Sequence, residues 1–213
     1  MEFRRLVEIV GNEPVFESGF LLAGDIDPKD VRRQLSRWTK AGRLYQLRRG
    51  LYALSPPFQK IKPHPFLIAN HMMRGSYVSC QSALAHYGLI PEHVPVVTSV
   101  TTARPGRWET PLGVYEFRHI KTGLFRGYRL IEPSPGQQAF VASPEKALLD
   151  LIYLQVGGDS PLYLRELRLQ NLDSLDLEKL QRQADLANNP KLQRAAGLVV
   201  RMARSEASEY EML

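Results

Sequence analysis

The amino-acid sequence predicts an α+β fold in two parts: a small basic N-terminal unit of helices closed by one hairpin, and a larger α+β unit with a helical tail. Three observations lead there. Residues 1–63 carry 12 Lys and Arg against 7 Asp and Glu, whereas residues 64–213 carry 16 against 15. Segment 55–65, SPPFQKIKPHP, holds four prolines, which deny backbone donors and disfavour helix before each of them. Beyond it, β-rich runs broken by Gly and Pro give way to helical periodicity. The expected divisions are 1–56, a linker over 57–65, and 66–213.

Composition narrows the class. With 213 residues, 44% of them hydrophobic, the chain can bury a proper core. Cys80 is its single cysteine and forbids an intramolecular disulfide framework. The opening MEFRRLVEIVGNEP has no apolar run long enough for a signal sequence or a membrane span, so the expectation is a cytoplasmic protein with no membrane partner. The net charge of +6 lies almost wholly in the first third, which points to a local polyanion-binding face.

In the first unit, EFRRLVEIV predicts a short helix and VFESGFLLAG a weaker one interrupted by Gly19. For the third helix, Asp27 suits the cap, Pro28 the first turn, and Asp30 the positive end of the dipole. Val31, Leu35 and Trp38 fall on one stripe, leaving Lys29, Arg32, Arg33, Ser36, Arg37 and Lys40 on the others. Gly42 ends the helix, and RLYQL-RRG-LYAL alternates by twos about a Gly-containing turn with Arg48 and Arg49 at its tip. Helices followed by a basic hairpin is the order of a winged helix-turn-helix. In the second unit, SYVSCQSALAHYGLI (76–90) predicts a packed helix with Ser79 as cap and Gly88 as stop. VPVVTSVTT, GVYEFRHIK and GYRLIEP predict strands. SPEKALLDLIYLQ, SPLYLRELRL, DLEKLQRQADLA and NPKLQRAAGLVVRMARSEA predict helices, the first capped by Ser143 with Ala147, Leu148, Leu151 and Ile152 inward.

The basic elements point to double-stranded DNA by geometry. An α-helix fits the major groove, where Arg, Gln and Ser reach base edges, while flanking cations neutralise phosphates. Arg32, Arg33, Ser36 and Arg37 are the candidates for groove contact, and Lys29, Lys40, Arg43, Arg48 and Arg49 for phosphate contact. Trp38, Leu35, Tyr45 and Tyr52 are expected to pack the unit rather than stack on bases. The competing reading is a solvated basic helix face beside an ordinary hairpin.

The N-terminal pattern ending in GRLYQLRRGLYAL, then SYVSCQSALAHYGLIPE, then SPEKALLDLIY, taken in order over roughly residues 1–155, resembles the AbiEi-type antitoxins. These are transcriptional regulators of type IV, abortive-infection toxin-antitoxin systems. The resemblance implies a winged-helix repressor that binds inverted repeats in its own promoter and contributes to phage defence. It further implies a nucleotidyltransferase-like toxin as functional partner, neutralised through the C-terminal part without a stable complex. The family's DNA-binding role carries over onto Arg32, Arg33, Arg37, Arg48 and Arg49, which occupy the third helix and the wing. Inverted repeats imply two copies on the DNA.

Enzymatic chemistry finds little in the sequence, and no cofactor is expected. Gly24-Asp25-Ile26-Asp27 looks like the Asp-x-Asp metal pair of nucleotidyltransferases, but no Gly-Ser motif precedes it and Asp27 suits a helix cap. His64, His71, His86, His93, His119 and Cys80 have no metal-ligand spacing, and no phosphate loop or nucleophile elbow occurs. Two other function classes stay open: a winged-helix regulator with a sensing C-terminal domain and no toxin, and an RNA-contacting interaction protein.

Overall fold

The computed structural model describes residues 1–22 and 27–210. Helix α1 (Phe3–Val10) turns Leu6 and Val10 inward. The segment VFESGFLLAG, expected as a helix, forms instead strand β1 (Phe16–Glu17) and a 3-10 turn (Ser18–Leu22). Pairing explains the difference. Phe16 and Glu17 lie opposite Tyr52 and Leu51, and the Ser18 N–H donates to the Gly50 carbonyl at 2.8 Å, so the later hairpin draws this segment into extended backbone. Ala23 and Gly24, the last residues of that expected helix, lie outside the described residues.

Helix α2 (Pro28–Lys40) follows its local signals. The Asp27 carboxylate accepts from the Lys29 N–H at 2.8 Å, and Pro28 opens the first turn where its missing donor costs nothing. Val31 and Leu35 are buried, and half-buried Trp38 meets Phe3 edge-on at 5.4 Å between ring centroids. At the other end Gly42 takes φ +69°. Arg43 N–H donates to the Trp38 carbonyl at 2.9 Å and Gly42 N–H to Thr39 at 3.0 Å, the paired bonds that close a helix through a left-handed residue. Strands β2 (Leu44–Arg48) and β3 (Leu51–Leu54) then pair antiparallel around Arg49-Gly50, giving a three-stranded sheet of order β1-β3-β2.

Both faces of this sheet are covered, which is why all four residues of β3 are buried. Leu44, Tyr52, Leu54 and Phe16 close on Leu6, Val10, Val31 and Leu35 from α1 and α2. Leu47, Leu51 and Ala53, with Val15, belong to the larger apolar cluster of the second unit. Residues 57–64 cross between the units without regular structure but are pinned. Phe58 packs edge-on against Phe3 at 4.8 Å, and the Gln137 side chain accepts from His64 N–H at 2.7 Å while donating to the Lys62 carbonyl at 3.0 Å.

The second unit begins with helix α3 (Pro65–Met72) and is built on a mixed sheet of six strands. These are β4 (Ser76–Val78), β5 (Val96–Thr101), β6 (Gly106–Thr110), β7 (Gly113–His119), β8 (Tyr128–Ser134) and β9 (Gln137–Ala142), in the order β6-β7-β5-β4-β9-β8. The pairs β5–β7 and β4–β9 are parallel and the others antiparallel. Ser76, Tyr77 and Val78, expected within a helix, are strand because they pair with Thr101, Val100 and Ser99 on one side and Val141 on the other. The helix that follows, α4, is shorter (Cys80–His86) and stops at Gly88 as expected, with φ +70°. Strands β6 and β9 were not expected; GRWET is a polar edge strand, and QQAFVA begins with two glutamines.

Helices α5 (Pro144–Leu154), α6 (Pro161–Glu166), α7 (Leu177–Leu186) and α8 (Pro190–Tyr210) complete the chain. Ser143, Ser160 and Asp176 cap the first three with their side chains. The whole is an α+β fold, and no helix among the described residues is long and apolar enough to cross a membrane.

Candidate nucleic-acid interface

The packing just described decides which side chains face outward. Because Val31 and Leu35 anchor one stripe of α2, its residues Lys29, Arg32, Arg33, Ser36, Arg37 and Lys40 are exposed, and Arg43, Arg48 and Arg49, beyond the helix, are exposed as well. Their surroundings differ. Arg33 Nη2 lies 2.7 Å from the Asp30 carboxylate, and Arg32 Nε donates to the Pro28 carbonyl at 3.2 Å. Both contacts are exposed and intrahelical, so they hold the guanidinium groups weakly. Arg43, just past the helix, stacks over the Phe3 ring at 5.1 Å from its centroid.

The hairpin arginines divide. Arg49 stands at the turn, but the Arg48 Nη1 donates to the carbonyl of Met72, the last residue of α3. A cation at that negative helix end is held by the free carbonyl and the dipole together. Both residues stand at the hairpin tip, with the Arg48 guanidinium engaged by the end of α3.

A cleft of about 530 Å³ opens between the hairpin tip and the second unit. Arg48 and Arg49 line one side; Arg74, Arg104, His71 and Glu17 complete it. Arg74 Nη2 meets the Glu17 carboxylate at 2.7 Å, tying the turn after α3 to β1. Burial holds the His71 imidazole below its ordinary value; Arg74 adds to the effect while Glu17 and Glu13 oppose it. Arg74 and Arg104 were missed by sequence reasoning because each stands alone in its loop, and only the tertiary fold brings them beside the hairpin.

The polar residues of SPEKALLD are spent on structure. Asp150 is fully buried, accepting from Tyr77 Oη at 3.0 Å and Ser79 Oγ at 2.7 Å while paired with Lys146. Burial pushes its carboxyl above the usual range against the pull of Lys146. Ser79, expected to cap α4, makes no side-chain capping bond, and its hydroxyl donates to Asp150. Glu145 takes Ser143 Oγ at 2.7 Å and Lys179 Nζ at 2.8 Å. Burial also pushes the Cys80 thiol up, away from the reactive thiolate. Of the Asp-x-Asp pattern, Asp25 lies outside the described residues and Asp27 caps α2. Among the described residues no group of three His, Cys, Asp or Glu could hold a metal ion.

No family model and no curated protein matches this chain. Among solved structures, the chain is similar in fold to the Rv2827c protein from Mycobacterium tuberculosis, with a TM-score of 0.53 and 20% sequence identity, over 92% of this chain and 75% of that one.

Proposed function

We propose that residues 1–56 are a winged helix-turn-helix that binds double-stranded DNA, and that the protein is a transcriptional repressor acting as the antitoxin of a type IV system. In this reading α2 enters the major groove, with Arg32, Arg33, Ser36 and Arg37 toward base edges. Lys29, Lys40, Arg43 and Arg49 contact phosphates, and the hairpin is the wing. The observation that carries the DNA half is the solvent side of α2: a capped helix, anchored by Val31 and Leu35, whose exposed positions include Lys29, Arg32, Arg33, Arg37 and Lys40 against one acid, Asp30. The antitoxin half rests on the resemblance of SYVSCQSALAHYGLIPE and SPEKALLDLIY, in their order after the basic hairpin, to that family.

The test is a duplex-binding titration over a salt series, using the promoter upstream of the gene. Arg32→Ala and Arg33→Ala should each weaken binding by about 1–3 kcal/mol at a base contact, while Arg49→Ala should flatten the salt slope by about one unit. Unchanged affinity and slope in all three would remove α2 and the wing from the interface. The antitoxin half needs the full chain, because the wing's inner face closes the larger core. Growth of toxin-expressing cells should be rescued by the Arg32→Ala/Arg33→Ala chain as well as by the original, since antitoxicity is assigned to the second unit.

A further inference from the structure

We infer that a cavity of about 220 Å³ in the second unit, between α5, the end of α7, the start of α8 and the turn before β8, is a binding site for a small, flat, neutral aromatic molecule bearing one ring N–H, of the size and kind of indole. The cavity shares no lining residue with the basic cleft beside the hairpin, and the inference stands independently of the DNA reading.

Three observations carry it. First, most of the wall is apolar, made by Leu124, Leu149, Leu186, Ala187 and Leu192. A cavity of about 150 Å³ walled by such side chains takes a benzene ring. At about 220 Å³ there is space for a second, fused ring. Second, Gln183 also lines the cavity, and its Oε1 is shielded from solvent without a hydrogen-bond partner among the described residues. A shielded acceptor without a donor is costly, and a ligand N–H that reaches it removes that cost on binding. Third, the charged residues of the wall are two cations, Lys146 and Arg126, with no carboxylate among the described lining residues. They repel an ammonium donor, so the group that meets Gln183 is a neutral N–H.

The two cations are also held in place. Lys146 Nζ pairs with Asp150, and Gly127, at φ +78°, lies so close to the Lys146 stem that a Cβ there would come within 3.1 Å of Cγ. The stem is thus a fixed, largely apolar part of the wall. Exposed Arg126 donates from Nη2 at 2.7 Å to the carbonyl of Leu186, the last residue of α7, which keeps the guanidinium beside the cavity. A guanidinium in that position attracts the negative face of an aromatic ring. Water would satisfy Gln183 but leave five apolar side chains wet, whereas an aromatic ring with one N–H meets both demands.

The experiment titrates the full chain calorimetrically with indole and with benzofuran, which has the same shape but an accepting oxygen in place of the N–H. Indole should bind roughly tenfold more tightly than benzofuran. Gln183→Met keeps the side-chain length and removes the acceptor, so indole should fall to the benzofuran level. Arg126→Gln should weaken both probes and leave their ratio unchanged. Ala187→Leu should fill the cavity and abolish binding of both, with circular dichroism checking that the variant is folded. In the original chain, without any substitution, indole should shift the methyl signals of Leu149 and Leu192. Failure of indole to bind, equal affinity for the two probes, an indole preference that survives Gln183→Met, or binding that leaves the Leu149 and Leu192 methyls unmoved would each overturn the inference.

Discussion

Glu145 is buried at the start of α5, where loss of water raises a carboxyl pKa, yet bonds from Lys179 and Ser143 outweigh that and hold it below its ordinary value of 4.5. A carboxylate depressed in the folded state adds stability that is complete above the unfolded value and is lost as pH falls through the folded one. Urea unfolding followed from neutral pH to below 4.5 should therefore show declining stability, and Lys179→Ala should be less stable at neutral pH with a shallower acid decline. An identical acid decline in that variant would mean that Lys179 is not what holds Glu145 ionised. How far such a residue is legible in sequence depends on the distance to its partners. Ser143 and Pro144 read as a helix start because cap and first turn are neighbours. The surroundings of Asp150 are not legible in the same way, because Tyr77 and Ser79, which donate to it, are 73 and 71 residues away in sequence.

At the level of elements the same rule separates α2 from its neighbours. Its start and stop were readable because Asp27, Pro28 and Gly42 act within their own turn. Gly42 supplies a left-handed residue that a side chain occupies with strain. Gly42→Ala should cost about 1 kcal/mol in urea unfolding, whereas Gly19→Ala, where nothing lies within 4 Å of the added carbon, should change stability by less than about 0.5. Equal effects at both sites would show that the helix end is not set by Gly42. By contrast, β1 and β4 were read as helix because apolar residues in a short run fit both periods, and pairing with distant strands decided between them. The cationic face of α2 was legible for the reason its caps were. Arg48's bond to α3, and the approach of Arg74 and Arg104, were not, since each joins segments on opposite sides of the proline-rich crossing.

For the molecule as a whole, the decisive feature is that the hairpin contributes to two apolar clusters, one on each face. A unit whose inner wall is another unit's core cannot open alone without exposing Leu47, Leu51 and Ala53. The chain holds two tryptophans, Trp38 on α2 and Trp108 on β6, which report the two units separately. With Trp108→Phe leaving the first probe and Trp38→Phe the second, urea transitions should coincide within error once each variant's own stability is accounted for by circular dichroism. A Trp38 transition well below that of the backbone signal would show that the first unit unfolds by itself. The proline-rich segment, expected as a linker, is clamped by Gln137 at its end and by Phe58 against Phe3 at its beginning.

The hairpin's double allegiance also constrains descent. The outward residues of α2 can change without disturbing either apolar cluster, because its anchors Val31 and Leu35 point the other way. Replacing the whole N-terminal unit by one from another protein would require that Leu47, Leu51 and Ala53 be matched by compensating changes beneath them. The seam therefore couples the two units: a change at Leu47, Leu51 or Ala53 is felt in the larger cluster, whereas a change on the outer face of α2 is not.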